Sequence, residues 1–201
     1  MQAPPGASTR PEARRIDRAG GKPKAFAPYS FRRHMIETER LLLRQYKPDD
    51  VPAILTLTAD PAVRKFIGNL PDSEEAAWAR LLRCAGHWSL FGCGTFAVVE
   101  KTSGVILGEV GAAFFHRGVD PLLDRVPEAS WLFSSAYRGS GFAFEAMSGL
   151  LRWIEHATRH DRVACLIEPI NVPSLKLAER LGFRPVKDVS YRDKPFILLA
   201  I

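Results

Sequence analysis

Residues 131–143 read WLFSSAYRGSGFA: an apolar run, a short loop of Arg138, Gly139, Ser140 and Gly141, then the opening of a long amphipathic helix. No other stretch limits the chain as tightly. The first amides of a helix have no partner inside it, and the macrodipole adds partial positive charge there. Glycines let the backbone approach a ligand closely and adopt φ > 0 without strain, while Arg138 supplies a fixed charge. The stretch reads as a cradle for a diphosphate. Its alternative is a plain tight turn ahead of a helix.

Commoner phosphate and nucleophile motifs fail on the same residues. No GxxxxGK[ST] string occurs, and a GxGxxG fingerprint would need glycine where Phe144 stands. A nucleophile elbow, GxSxG, would need a residue between Gly139 and Ser140.

The formal charge of +6 suggests nucleic acid until it is located. Residues 1–34 hold eight Lys/Arg against Glu12 and Asp17, leaving 20 basic and 20 acidic residues in 35–201. The neutral remainder argues against nucleic-acid binding by the core. Residues 1–34, rich in Pro, Gly, Ala and Arg, read as a disordered arm or as sequence ahead of a natural start at Met35. Residues 35–201 read as a single domain. Three widely spaced cysteines, Cys84, Cys93 and Cys165, form neither a CxxC pair nor a disulfide framework, so a reducing cytoplasm is expected. No apolar run approaches a membrane span, and none at the N-terminus resembles a secretory signal.

Taken in order, residues 36–45 read as a first strand, and Pro48, Asp49 and Asp50 open a helix to about Thr58. Asp60-Pro61 starts a short helical turn. Asp72, with Glu75 three residues on, is a capping-box pattern that begins a helix to about Trp88. Residues 94–100 and 105–115 form a hairpin, 116–126 a loop, and 128–134 a third strand that ends at the cradle. The helix over 141–159 carries Ala143, Met147, Leu150, Leu151, Ile154 and Ala157 at helical spacing. A strand over 162–168, a helix through Leu181 and one or two final strands follow. The predicted class is α/β (α+β): a mixed, mostly antiparallel central sheet with helices on both faces.

This order, together with YRGSGFAFEA (137–146), IEPINVPS (167–174), ERLGF (179–183) and ETERLLLR (37–44), resembles the GNAT acetyltransferases. Within them it is most similar to the ribosomal-protein N-acetylase branch of the RimJ and RimL enzymes. The resemblance implies acetyl-CoA as co-substrate. It implies that Trp131, Leu132 and Phe133 form the strand pairing with the pantetheine arm, and that Arg138, Gly139, Ser140, Gly141, Phe142 and Ala143 hold the pyrophosphate. Asn171 matches the residue that bonds a pantetheine amide, and Ser174 one near the thioester sulfur. Many GNAT enzymes place a Tyr in the helix after this Asn; here the equivalent turn holds Leu177 and Ala178. A dimer is a family-based expectation.

Acetyl transfer to an amine needs a neutral amine, a polarised thioester carbonyl and two reactants held in line. Strand N–H groups near Phe133 suit the carbonyl. Three strand carboxylates could serve as base, Glu128 first and then Glu109 and Glu168, since half-burial raises a carboxylate pKa. Each could equally be bound to a neighbouring element. Ser174 or water remains to protonate the thiolate. Of Trp88, Phe91, Phe114 and Phe115, one or two are expected to face an acceptor pocket, which the resemblance lets Tyr191 border. His156 and His160 lie one turn apart, but without a third ligand they read as solvated helix-end histidines, and no metal is expected. The expected activity is N-acetylation of a protein N-terminal α-amine or a small amine. The rivals are a non-catalytic acyl-CoA sensor and an RNA- or ribosome-binding adaptor.

Overall fold

The computed structural model describes residues 34–67, 72–158 and 160–201. The reading of residues 1–34 as an arm, His34 apart, lies outside them.

The first expected strand is in fact two. β1 (Met35–Glu37) and β2 (Leu41–Arg44) pair as an antiparallel hairpin with Met35 opposite Arg44. Nothing in the intervening Thr-Glu-Arg is a turn former; the bend is held from far along the chain. Glu145 accepts from the Arg40 N–H at 2.7 Å, from Arg40 Nε at 2.7 Å and from the Thr38 hydroxyl. The Thr38 oxygen in turn accepts from the Leu41 N–H at 3.1 Å.

A 3₁₀ turn at Pro48–Asp50 leads into α1 (Val51–Ala59), followed by the single turn α2 (Pro61–Arg64). α3 (Glu74–Phe91) is capped by Ser73, whose hydroxyl accepts from the Ala76 N–H at 3.2 Å, and not by Asp72 as the capping-box spacing implied. It runs past Trp88 and stops at Gly92. Then come β3 (Thr95–Glu100), β4 (Ile106–Ala113), β5 (Glu128–Phe133), α4 (Phe142–Ala157), β6 (Ala164–Ile167) and α5 (Val172–Arg180). A closing hairpin is formed by β7 (Arg184–Tyr191) and β8 (Lys194–Ala200).

Among the described residues eight strands form one sheet in the order β1-β2-β3-β4-β5-β6-β8-β7. Every neighbouring pair is antiparallel except β5 and β6. The apolar stripe of α4 (Phe142, Ala146, Met147, Leu150, Ile154) packs with Phe96, Val98, Val110, Phe183 and Ala178 of α5 in the largest cluster. Each fully buried side chain of this size is worth roughly 1.5–3 kcal/mol against exposure. His34 stacks there on Trp88 at 5.5 Å and meets Trp153 at 5.3 Å. Leu132 points to a different cluster, with Leu57 of α1 and Val63 of α2. Among the described residues, no helix is long and apolar enough to cross a membrane.

Candidate functional site

β5 pairs with β4 along its whole length, from Gly108 opposite Phe133 to Ala113 opposite Glu128. Towards β6 it pairs only at Glu128, opposite Ala164. Beyond that point the two parallel strands part and leave a wedge. The carbonyl of Pro127 accepts from Ala164 N–H (3.2 Å) on the β6 side, whereas the N–H of Ser134 donates to Leu107 (3.1 Å) on the β4 side. Backbone groups alternate sides along a strand, so the N–H and C=O of Trp131 and Phe133 face the wedge. The far wall is the start of α5. Asn171 caps it through Oδ1, accepting from Ser174 N–H at 3.4 Å, and Ser174 Oγ accepts from the Trp131 indole at 3.2 Å.

Directly past β5 the chain makes a 3₁₀ turn (Ser135–Tyr137) and reaches the glycine loop. Gly139 (φ 77°) and Gly141 (φ 79°) are both left-handed, the conformation a side chain resists. No side chain caps α4, so its first amides are left for solvent or an anion. Arg138, Gly139, Ser140 and Gly141 are exposed, Phe142 is buried, and Ala143 is half-buried. Three contacts that the sequence does not show hold this loop. Asp60 accepts from the Ser135 N–H at 2.7 Å, and that bond above all lowers its carboxyl to about 2. Arg138 reaches the Ala62 carbonyl (3.3 Å), and Arg40 reaches that of Ser140 (3.0 Å) while lying 4.3 Å over the Phe142 ring.

The three candidate carboxylates are buried, and each is engaged by a cation. Glu109, opposite Leu132, takes Arg80 and the Tyr46 hydroxyl (2.8 Å). Burial first, then the adjacent carboxylate, pushes the Tyr46 phenol well above its ordinary range. Glu128 takes both prongs of Arg117, at 2.9 and 3.1 Å. Burial works against the Arg117 charge, but the Glu128 fork and the Tyr191 phenol outweigh it and raise the guanidinium. Glu168 meets Lys194 at 3.4 Å. Proton acceptance by Glu109 or Glu128 therefore requires a partner to give way or a water to intervene.

The aromatic candidates divide. Trp88 is a core residue, 6% exposed, set edge-on against Phe96 with its indole donating to Thr95. It is displaced from the pocket role because α3 continues past it and turns it inward. Phe91 lies against Phe114 (5.4 Å), and His87 bridges Phe91 (6.2 Å) and Phe115 (5.5 Å). The Arg117 guanidinium stands over Phe115 at 4.6 Å and over Tyr191 at 5.2 Å. Among the described residues no group of three or more His, Cys, Asp or Glu is placed to hold a metal. All three cysteines are buried free thiols, and burial raises Cys84 and Cys93 to about 11.

Sequence reading missed the cations Arg80, Arg117 and Arg40. For Arg80 a signal was present: it falls on the buried stripe of α3 between Ala77 and Cys84, where a charge needs a partner.

A splayed parallel pair beside a glycine loop and an uncapped helix is the frame of an acyl-CoA-binding acetyltransferase. The sequence profile of the acetyltransferase (GNAT) domain matches residues 40–184. A chain from Bordetella pertussis assigned to the GNAT family superposes with a TM-score of 0.75 at 36% identity, over 84% of this chain and 99% of that one. The N-acetyltransferase YnaD of Bacillus subtilis (strain 168), itself uncharacterized, is 26% identical over 149 residues, 74% of this chain and 82% of its own. RimL, the ribosomal L7/L12 alpha-N-protein acetyltransferase solved with coenzyme A, shares the fold at a TM-score of 0.70 and 13% identity, over 84% and 97% of the two chains. The chain belongs to the GNAT family and is an N-acetyltransferase; enzymes of this family use acetyl-CoA.

Proposed function

We propose that this protein moves the acetyl group of acetyl-CoA to a primary amine, a peptide N-terminal α-amine as in the RimJ/RimL-like branch or a small-molecule amine, by direct attack. The observation that carries the reading is the wedge: β5 turns the backbone of Trp131 and Phe133 to an unpaired edge that ends at the glycine loop. An extended pantetheine has amides for such an edge, much as an added strand does. The amides of Gly139, Ser140, Gly141, Phe142 and Ala143, with Arg138, hold the diphosphate. Asn171, whose Oδ1 is spent on its helix, offers its amide nitrogen to a pantetheine carbonyl.

Because the loop follows Phe133 at once, an extended arm carries the thioester away from Phe133 and towards Trp131 and Ser174. That placement replaces the expectation of an acyl group beside Phe133. The Trp131 N–H then faces the carbonyl oxygen where negative charge develops. The amine nitrogen bonds to the carbonyl carbon, the C–S bond breaks, and the thiolate takes a proton. Ser174 suits that last role, since its oxygen accepts from the indole and its own hydrogen is left to give. Glu128 or Glu109 receives the amine proton, directly or through water.

The cation on every candidate carboxylate favours one second reading, a sensor that binds acyl-CoA without turnover. Thiol release from acetyl-CoA against a panel of N-terminal peptides and small amines, with calorimetry for coenzyme A, decides. Binding with amine-dependent release supports transfer, binding without release supports the sensor, and no binding removes both.

A further inference from the structure

We infer that Arg117 and Glu128 together form the acceptor subsite for an α-amino acid, Glu128 receiving the amine and Arg117 the carboxylate. The inference rests on the transfer reading above and narrows its acceptor.

Arg117 comes from the β4–β5 loop and is fixed on several sides. Its fork meets both oxygens of Glu128, Nη1 reaches the Tyr191 hydroxyl at 3.4 Å, and its plane contacts the Phe115 and Tyr191 rings. The backbone on either side is left-handed, at His116 (φ 46°) and Gly118 (φ 65°). For a non-glycine residue that conformation is strained and persists only where the surroundings enforce it. The loop thus holds this guanidinium against Glu128. Of the two partners Arg117 is the more open, its side chain 28% exposed against 7% for Glu128, so it forms the outer half of the pair.

Charge balance selects the ligand. The pair is neutral and mostly withdrawn from water, where an unmatched charge is costly. A bare ammonium arriving at Glu128 adds a positive charge beside a guanidinium. A zwitterion adds none. An α-amino acid carries its two charged groups on one carbon, a spacing that matches a contact of 2.9 Å read in the opposite sense. The Nε–Nη2 edge of the guanidinium holds Glu128, and its Nη1–Nη2 end, which meets Tyr191 only at 3.4 Å, presents the second pair of donors that a carboxylate takes. A peptide N-terminus bears an amide at that carbon, whose carbonyl can accept one hydrogen bond from Arg117 but brings neither the charge nor the second oxygen that the guanidinium matches.

The full-length chain is assayed for thiol release from acetyl-CoA with a set of α-amino acids and, for each, its α-amide. The expected wild-type kcat/KM favours acid over amide by about tenfold or more, the loss a site incurs when a built polar partner goes unmatched. Arg117→Gln is expected to bring that ratio close to one. Arg117→Lys, which keeps the charge but loses the fork, falls between, and would decide with the wild-type ratio if Arg117→Gln did not fold. A merely structural ion pair would lower both rates and leave the ratio standing, which overturns the inference. So does a wild type that prefers amides or peptides, although transfer would then stand. Failure to bind coenzyme A would remove both.

Discussion

The two halves of the candidate site around β5 are built by opposite means. One half, proposed above to hold the coenzyme, consists of backbone amides past Phe133, set by glycine dihedrals, an uncapped helix and neighbouring anchors. The other half consists of charged side chains, Glu128 at the far end of β5 and Glu109 on β4 opposite Leu132, buried and paired with cations from other elements. A main-chain site tolerates exposure and depends on conformation. A buried charged site depends on complete pairing, and loses stability when one member is removed. Substitution should therefore separate the two halves cleanly, binding in one and folding in the other.

The largest effect is expected from Glu109→Ala, which leaves Arg80 buried without its partner. The loss of about 3–5 kcal/mol should appear in urea unfolding. Were the variant as stable as wild type yet inactive, the charged half would be chemistry alone and the contrast would fail. Next in size is Gly139→Val, which puts a β-branched residue at φ 77°. Coenzyme A affinity by calorimetry should fall about tenfold, with a stability loss of about 1–3 kcal/mol. Unchanged affinity would remove the glycine loop from the site.

Asp60→Ala should cost about 1 kcal/mol at neutral pH, as loss of a capping carboxylate does. Because the Ser135 N–H lowers the folded Asp60 carboxyl to about 2, its contribution is complete above the unfolded value near 3.8 and is lost as pH falls through about 2. Unfolding curves of wild type and variant should converge over that window; a constant gap would assign the effect to packing. The smallest change belongs to Lys194→Ala, whose ammonium is largely exposed and 3.4 Å from Glu168. A shift within about 1 kcal/mol is expected in the same denaturation series.

The main-chain half was legible because a glycine loop, an apolar strand and a helix pattern lie together in sequence. The sheet class followed from the order of the elements. The side-chain half was not, since pairing is a property of the sheet. Glu109 meets a helix residue 29 positions away, and Glu168 a strand residue 26 positions on. The first hairpin was hidden for the same reason. Its bend at Thr38 and Arg40 is made by Glu145, more than a hundred residues downstream. Trp88 could not be told apart from the other pocket candidates, because an aromatic near a helix end looks alike whether it turns inward or outward.

That tie between Glu145 and the bend makes the β1–β2 hairpin a listener to the loop. Glu145 lies in the first turn of α4, and Arg40 also grips the Ser140 carbonyl. A molecule that steadies those amides steadies the hairpin too, and by reciprocity fraying of residues 38–40 weakens its hold. The amide proton of Arg40 should exchange with deuterium more slowly once coenzyme is present, reporting occupancy from a place the coenzyme need never touch.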